Sequence, residues 1–256
     1  MARDRGILVL FDLVSTLTDA APRYVRAFQD VMEANGFARP AAEDVAPLLG
    51  NKNLSEITDA FTGLTDAEQK KRFMSECNTA CDALLLDKNW KEQLFPNVRE
   101  AINVMNLRGL TVGVFTGTRH DAMQNQIAYH DLGHLIDARY MRGKDNDRDG
   151  AVKSAVLKRA QIDDIVTRFR TNQMNPNAGV IIVGDTRSDV EAARDLGLIF
   201  VGFAADDKKR QELENAGAKY IVTDYGDLPD MVHRLIQPAA NDAAARPTPK
   251  QSFHPK

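Results

Sequence analysis

The sequence predicts an α/β fold: a Rossmann-like three-layer core with a parallel sheet, plus an inserted helical domain. Three observations carry this expectation. Short unbroken apolar runs end on polar residues, as strands buried on both faces do. Helix-like stretches alternate with those runs, which suits crossover connections. Between the first two runs lie about 75 residues with no strand-like pattern, too many for a simple loop.

Along the chain, the first run covers 7–11 and ends at Asp12. The insert then reads as helices over 23–35 (stopped by Gly36), 54–61 and 66–86. In the last of these Phe73, Cys77, Cys81 and Leu84 recur at helical spacing, and the two cysteines read as small buried side chains. A helix over 98–107 leads to the second run, 110–115, which ends at Thr116. The third run, 180–183, ends at Gly184 and Asp185 and is followed by a helix over 189–196 that stops at Gly197. Weaker runs at 198–201 and 220–222 complete the sheet. The expected organisation is a core from 1–18 and 96–237, a helical domain from 19–95 and a disordered tail from 238–256, where periodicity ceases.

Composition excludes several classes. Lys and Arg total 33 against 36 Asp and Glu, a net charge of −3, so this is no dedicated nucleic-acid binder. At 43% hydrophobic residues the chain is not intrinsically disordered. Two cysteines support no disulfide framework. No apolar run approaches the roughly 18 residues of a membrane span, and the N-terminus has no signal-like stretch. The expectation is a soluble cytoplasmic protein, monomer or homodimer, with no nucleic-acid or membrane partner.

Open α/β sheets bind ligands outside the carboxyl ends of their strands. Asp12, Thr116 and Asp185 all fall there, and Asp189 follows at a helix start. One such Asp could merely cap a helix. Several gathered together would repel one another, and a divalent cation relieves this; oxygen ligands with waters suit Mg²⁺.

The residues FDLVSTLTD (11–19), Thr116 and GDTRSD (184–189) resemble the motifs of the haloacid dehalogenase superfamily. The helical insert resembles its C1 cap, as in phosphoglycolate phosphatase-like members. The resemblance implies a small phosphorylated metabolite as substrate and Asp12 as nucleophile. It implies Mg²⁺ held by Asp12, the Val14 carbonyl and Asp185, with Asp189 as ligand or support. Thr116, the Gly117 N–H and a lysine would hold the phosphoryl oxygens. Lys153 is the first candidate for that lysine and Lys144 the fallback. Lys52 and Asn53 lie where the cap's substrate loop is expected, with hinges near Thr18 and Pro96.

Position 14 departs from the pattern. Most phosphatases of the superfamily carry a second Asp there, which handles the leaving-group proton, and Val14 has none to give. General acid–base help is worth roughly 10²–10⁴ in rate. Three readings follow: a phosphatase with another acid or a good leaving group; a phosphonoacetaldehyde hydrolase-like enzyme using a cap lysine, with Lys52 as candidate; or a catalytically weak binding module. His120 could reach the site mouth and substitute as acid, though a helix-start polar group is the plainer reading. His130 and His134 read as loop or surface residues. DNDRDG (145–150) matches half of an EF-hand loop, but Val156 stands where its glutamate belongs.

Overall fold

The computed structural model describes residues 6–51, 54–87, 89–145, 154–175 and 178–236. Six strands form one sheet: β1 (Ile7–Asp12), β4 (Thr111–Arg119), β5 (Met141–Lys144), β6 (Gly179–Gly184), β7 (Ile199–Phe203) and β8 (Ile221–Val222). Their order is β5-β4-β1-β6-β7-β8, and every pairing is parallel. Counted along the chain these six run 3-2-1-4-5-6. In that doubly wound order the winding reverses between β1 and β6, and a ligand crevice opens outside their carboxyl ends.

Strand alternation decides which residues face which layer. Leu8 and Leu10 of β1 pack with Ile162, Ile165 and Phe169 of α7 (Ser154–Asn172) on one face. Val9 and Phe11 pack on the other face with Ile102 and Met105 of α5 (Val98–Leu107). Residues 8 to 11 are wholly buried, at 0% exposure. Each such side chain contributes roughly 1.5–3 kcal/mol by leaving water. Burial on both faces thus fixes the strand that carries Asp12.

The insert between β1 and β4 holds α1 (Ala21–Ala34), α2 (Ala42–Asn51), α3 (Leu54–Thr62) and α4 (Ala67–Leu86). These helices share a cluster of their own, with Val25, Phe28, Val31, Met32, Val45, Ile57, Phe73 and Cys77 buried together. The Phe28 ring meets Phe61 and Phe73 edge-on at 5.6 and 5.7 Å. An antiparallel ribbon of β2 (Thr18–Asp19) and β3 (Gln93–Leu94) closes the insert at its base.

β3 corrects the reading that the stretch between the first two runs has no strand, because a two-residue strand is too short to show a period. The sequence reading also missed α2 and β5. Pro47 sits inside α2, where proline normally argues against a helix. β5 reads MRGK, with little apolar signal. The remaining helices are α6 (His120–Tyr129), α8 (Arg187–Asp195), α9 (Asp207–Ala216) and α10 (Leu228–Ile236). No described helix is long and apolar enough to cross a membrane. The expected tail 238–256 and residues 146–150 of the acidic loop lie outside the described residues.

Candidate active site

Asp12 shares the strand parity of Leu8 and Leu10, so it lies on the α7 side of the sheet. There Lys158 meets it, 5% exposed, with Nζ 3.0 Å from Asp12 Oδ2 and 2.8 Å from Asp189 Oδ1. The same ammonium is 3.3 Å from Thr186 Oγ1. Asp185 directly follows β6. It accepts a hydrogen bond at Oδ1 from Thr16 Oγ1 (2.8 Å), and Lys209 Nζ stands 3.5 Å from its Oδ2. Asp189, in the first turn of α8, accepts at Oδ2 from the Thr186 N–H (3.0 Å) and hydroxyl (2.6 Å).

Gly184 makes this packing possible. A Cβ there would lie 2.7 Å from Asp189 Cγ, in steric overlap with the carboxylate. As a result one oxygen from each of Asp12, Asp185 and Asp189 lies within 4.8 Å of the others. All three are at most 3% exposed.

Such crowding has an electrostatic cost. Burial pushes the Asp12 carboxyl up to about 7; Lys158 pulls it down, while Asp189 and Asp185 push it further up. Asp185 is also raised, by burial first and Asp189 second, against Lys209 and Lys158. Burial alone would lower Lys158, but Asp12 and Asp189 outweigh it and hold the ammonium well above its ordinary pKa. Asp12 Oδ1 is buried with no hydrogen-bond partner. The donor set is thus three carboxylates with one oxygen unsatisfied, which fits a hard divalent cation.

The loop after Asp12 turns tightly. Leu17 and Thr18 donate their N–H groups to the Leu13 carbonyl (2.8 and 3.1 Å), and Ser15 adopts φ +60°. Buried Tyr225 braces the turn by donating its hydroxyl to the Thr16 carbonyl at 2.6 Å. Val14 is half-buried against the core cluster on the α5 face, a contact a carboxylate would not make. At the end of β4, Thr116 is 1% exposed, and its carbonyl accepts from Gln161 Nε2 at 3.0 Å. Gly117 is exposed, with open space where a side chain would stand. The β4–β5 register shifts between Phe115 and Arg119, which frees this stretch from regular pairing.

The family model for haloacid dehalogenase-like hydrolases matches residues 9–203, most of the chain. The chain belongs to this family. Solved structures agree in fold. A phosphatase candidate from Clostridium difficile shares 18% identity at a TM-score of 0.68, over 88% of this chain and 97% of its own. A haloacid dehalogenase-like family hydrolase from Streptococcus pneumoniae gives 17% and 0.63, over 90% and 99%. A predicted phosphoglycolate phosphatase from Haemophilus somnus gives 19% and 0.62, over 88% and 97%. Among curated proteins nothing matches.

Within this haloacid dehalogenase-like frame, Asp12, Asp185 and Asp189 come together, with Val14 in the loop that follows Asp12. Lys153, Lys52 and Asn53 lie outside the described residues. The lysine at Asp12 is Lys158, which sequence reasoning missed. A signal existed: Lys158 stands four, seven and eleven residues before Ile162, Ile165 and Phe169, on the buried stripe of α7. Lys144 instead lines a cleft of about 540 Å³ with Arg119, His120 and Arg142. His120 is tied there, its Nδ1 accepting the Gly143 N–H at 3.3 Å. His130, expected in a loop or at the surface, sits in the turn that ends α6 and is buried there.

Proposed function

We propose that this hydrolase is a Mg²⁺-dependent phosphatase of small phosphorylated metabolites, acting through an aspartyl-phosphate on Asp12. The observation that carries the reading is the state of Asp12. It is buried at the sheet's switch point, with Oδ2 held by Lys158 and Oδ1 unsatisfied. Asp12, the Val14 carbonyl and Asp185 would hold the metal. Asp189 already engages Lys158 and Thr186, so its part is to position Lys158. Bound there, Mg²⁺ supplies charge neutralisation for the phosphoryl group.

The chain's own residues account for the rest. Asp12 attacks phosphorus, and the bond from phosphorus to the leaving oxygen breaks. Lys158, the Thr116 hydroxyl and the Gly117 N–H bear on the phosphoryl oxygens. Water then cleaves the aspartyl-phosphate and restores the carboxylate. Val14 offers no proton to the leaving oxygen, so esters with strongly basic leaving groups react slowly. Residues 19–95 act as a cap whose hinges near Thr18 and Pro96 close the site against water.

The test is a panel of phosphate esters assayed with and without Mg²⁺. Hydrolysis should require the metal and vanish in Asp12→Asn. Val14→Asp should raise the rate on alkyl esters. Turnover that survives Asp12→Asn would overturn the mechanism.

A further inference from the structure

Two lysines reach the carboxylate cluster, and they are held in different ways. The Lys158 side chain is 7% exposed, and its Nζ lies within 3.3 Å of Asp12, Asp189 and Thr186. The Lys209 side chain is 31% exposed, and its Nζ stands 3.5 Å from Asp185 Oδ2 and 3.5 Å from Glu212 Oε2. Both distances exceed the about 2.7–3.2 Å of a nitrogen–oxygen hydrogen bond. Lys158 is fixed, whereas Lys209 lies between two carboxylates and is locked to neither.

The fold places Lys209 there. β6 and β7 pair with Gly184 opposite Gly202, so Asp185 emerges beside β7. α9 seats buried Leu213 against Gly202, where a Cβ would lie 2.8 Å from Leu213 Cδ1. Lys209 stands one turn before Leu213 on the same face of α9, and that face carries it to Asp185. The Asp206 carboxylate accepts the Lys209 N–H at 2.7 Å and holds the backbone in place. Glu212 follows three residues later, within reach of the same ammonium. The side chain passes between its two partners by rotation of its own four-carbon stem, with no change in the backbone.

The oxygens of the cluster show what Lys209 occupies. Lys158 takes Asp12 Oδ2, and Asp12 Oδ1 has no hydrogen-bond partner. Thr16 takes Asp185 Oδ1, and Asp185 Oδ2 has only Lys209 beside it among the described residues. These are the two oxygens that Asp12 and Asp185 still offer to a cation, and an ammonium already stands at one of them.

We infer that Lys209 is a displaceable counter-ion. It competes with the divalent cation for Asp185 and moves to Glu212 when the metal is bound, so Lys209 and Glu212 together set the metal affinity. The inference rests on the Mg²⁺-dependent reading above and gives that site a residue of its own regulation. Charge balance favours it. A dication added beside both lysines would turn a buried negative surplus into a positive one. With Lys209 on Glu212, three carboxylates, Lys158 and a dication close to neutrality, which a buried site requires. Lys208 stands at Glu212 Oε1, 3.4 Å away, which leaves Oε2 to receive Lys209.

Calorimetric titration of Mg²⁺ into chelator-treated protein, with no substrate present, reads the affinity directly. Lys209→Met removes the competitor and keeps the stem, and should tighten Mg²⁺ binding by about three- to five-fold. Added monovalent salt should shrink that gap, because it screens a partly exposed pair. Lys209→Arg keeps the charge and should stay within about twofold of the parent. Glu212→Gln removes the second berth and should weaken Mg²⁺ binding in the parent, yet have little effect in the Lys209→Met background. Unchanged or weaker binding in Lys209→Met, or an equal effect of Glu212→Gln in both backgrounds, overturns the counter-ion and leaves the phosphatase reading standing. No Mg²⁺ binding by the parent removes the metal-dependent reading itself. The Glu212 side chain is 50% exposed, so Glu212→Gln decides alone if Lys209→Met does not fold: weaker binding is expected, and unchanged binding overturns the proposal.

Discussion

Two buried clusters of charge stand out among the described residues, one at the base of the insert and one at the sheet's switch point. At the base, Arg23 Nε meets Glu92 Oε1 at 2.7 Å, with both side chains at most 3% exposed. Thr18 Oγ1 donates to the other oxygen of Glu92 at 2.8 Å. One cation faces one anion, and the third member is neutral. At the switch point three carboxylates share Lys158 and, from a partly exposed position, Lys209. If all are ionised, the first cluster is neutral and the second is left with one negative charge in surplus. Burial raises the pKa of Glu92 against the pull of Arg23 and Thr18, while Asp12 is driven up to about 7 despite Lys158. A cluster that closes its own charge can only fix geometry, here by tying α1 to the approach of β3. A cluster that does not close calls for an external cation.

The comparison predicts different outcomes when each is broken. Lys158→Met should have the largest effect. It leaves three buried carboxylates without their central cation and removes a group from the proposed phosphoryl cradle. Hydrolysis should fall by about 10²–10³-fold or more, and folding stability by about 3–5 kcal/mol. Denaturant titration and Mg²⁺-supported turnover would read the two losses separately, and unchanged turnover would remove Lys158 from the mechanism.

Arg23→Met should come next. It strands Glu92 in the interior and should also cost about 3–5 kcal/mol. Here the double variant Arg23→Met with Glu92→Met should recover most of the loss, because replacing a whole buried pair by apolar groups is often neutral. Turnover per folded molecule should stay within a few-fold of the parent. A double variant as unstable as the single one would mean that the pair does more than balance charge.

The two clusters were unequally legible in the sequence. Asp12, Asp185 and Asp189 were readable because each follows an apolar run or opens a helix, and strand parity then fixes the layer they face. Lys158 was missed because motif spacing drew attention to a helix start, whereas the decisive signal was a charge on an apolar stripe. The Arg23–Glu92 pair left no trace. Its members lie 69 residues apart in sequence, and only the β2–β3 ribbon, two residues per strand, brings them together. The parallel sheet and three of the four insert helices were legible from periodicity; α2 was hidden by Pro47 and β5 by its charged residues. Non-local pairing between short, polar segments has no periodic signature, so it appears only in the folded chain.

The last prediction concerns pH, and it separates the clusters most cleanly. Asp12 titrates near 3.8 when unfolded and at about 7 when folded without metal. Between those values the folded chain holds a proton that the unfolded chain has released. Stability must therefore decline as pH rises through that window, with the penalty complete above about 7. Asp185 and Glu92, also raised, add declines of the same sign. Urea midpoints of chelator-treated protein should fall from pH 4 to pH 7, and Asp12→Asn should flatten part of that slope. Mg²⁺ at pH 7 to 8 should restore the part due to Asp12 and Asp185, because a cation rewards the ionised carboxylates. It should leave the part due to Glu92 untouched, since that cluster already holds its counter-charge in Arg23. A midpoint that rises with pH in the chelated parent, or a Mg²⁺ response that persists unchanged in Asp12→Asn, would contradict the assignment of surplus charge to the switch point.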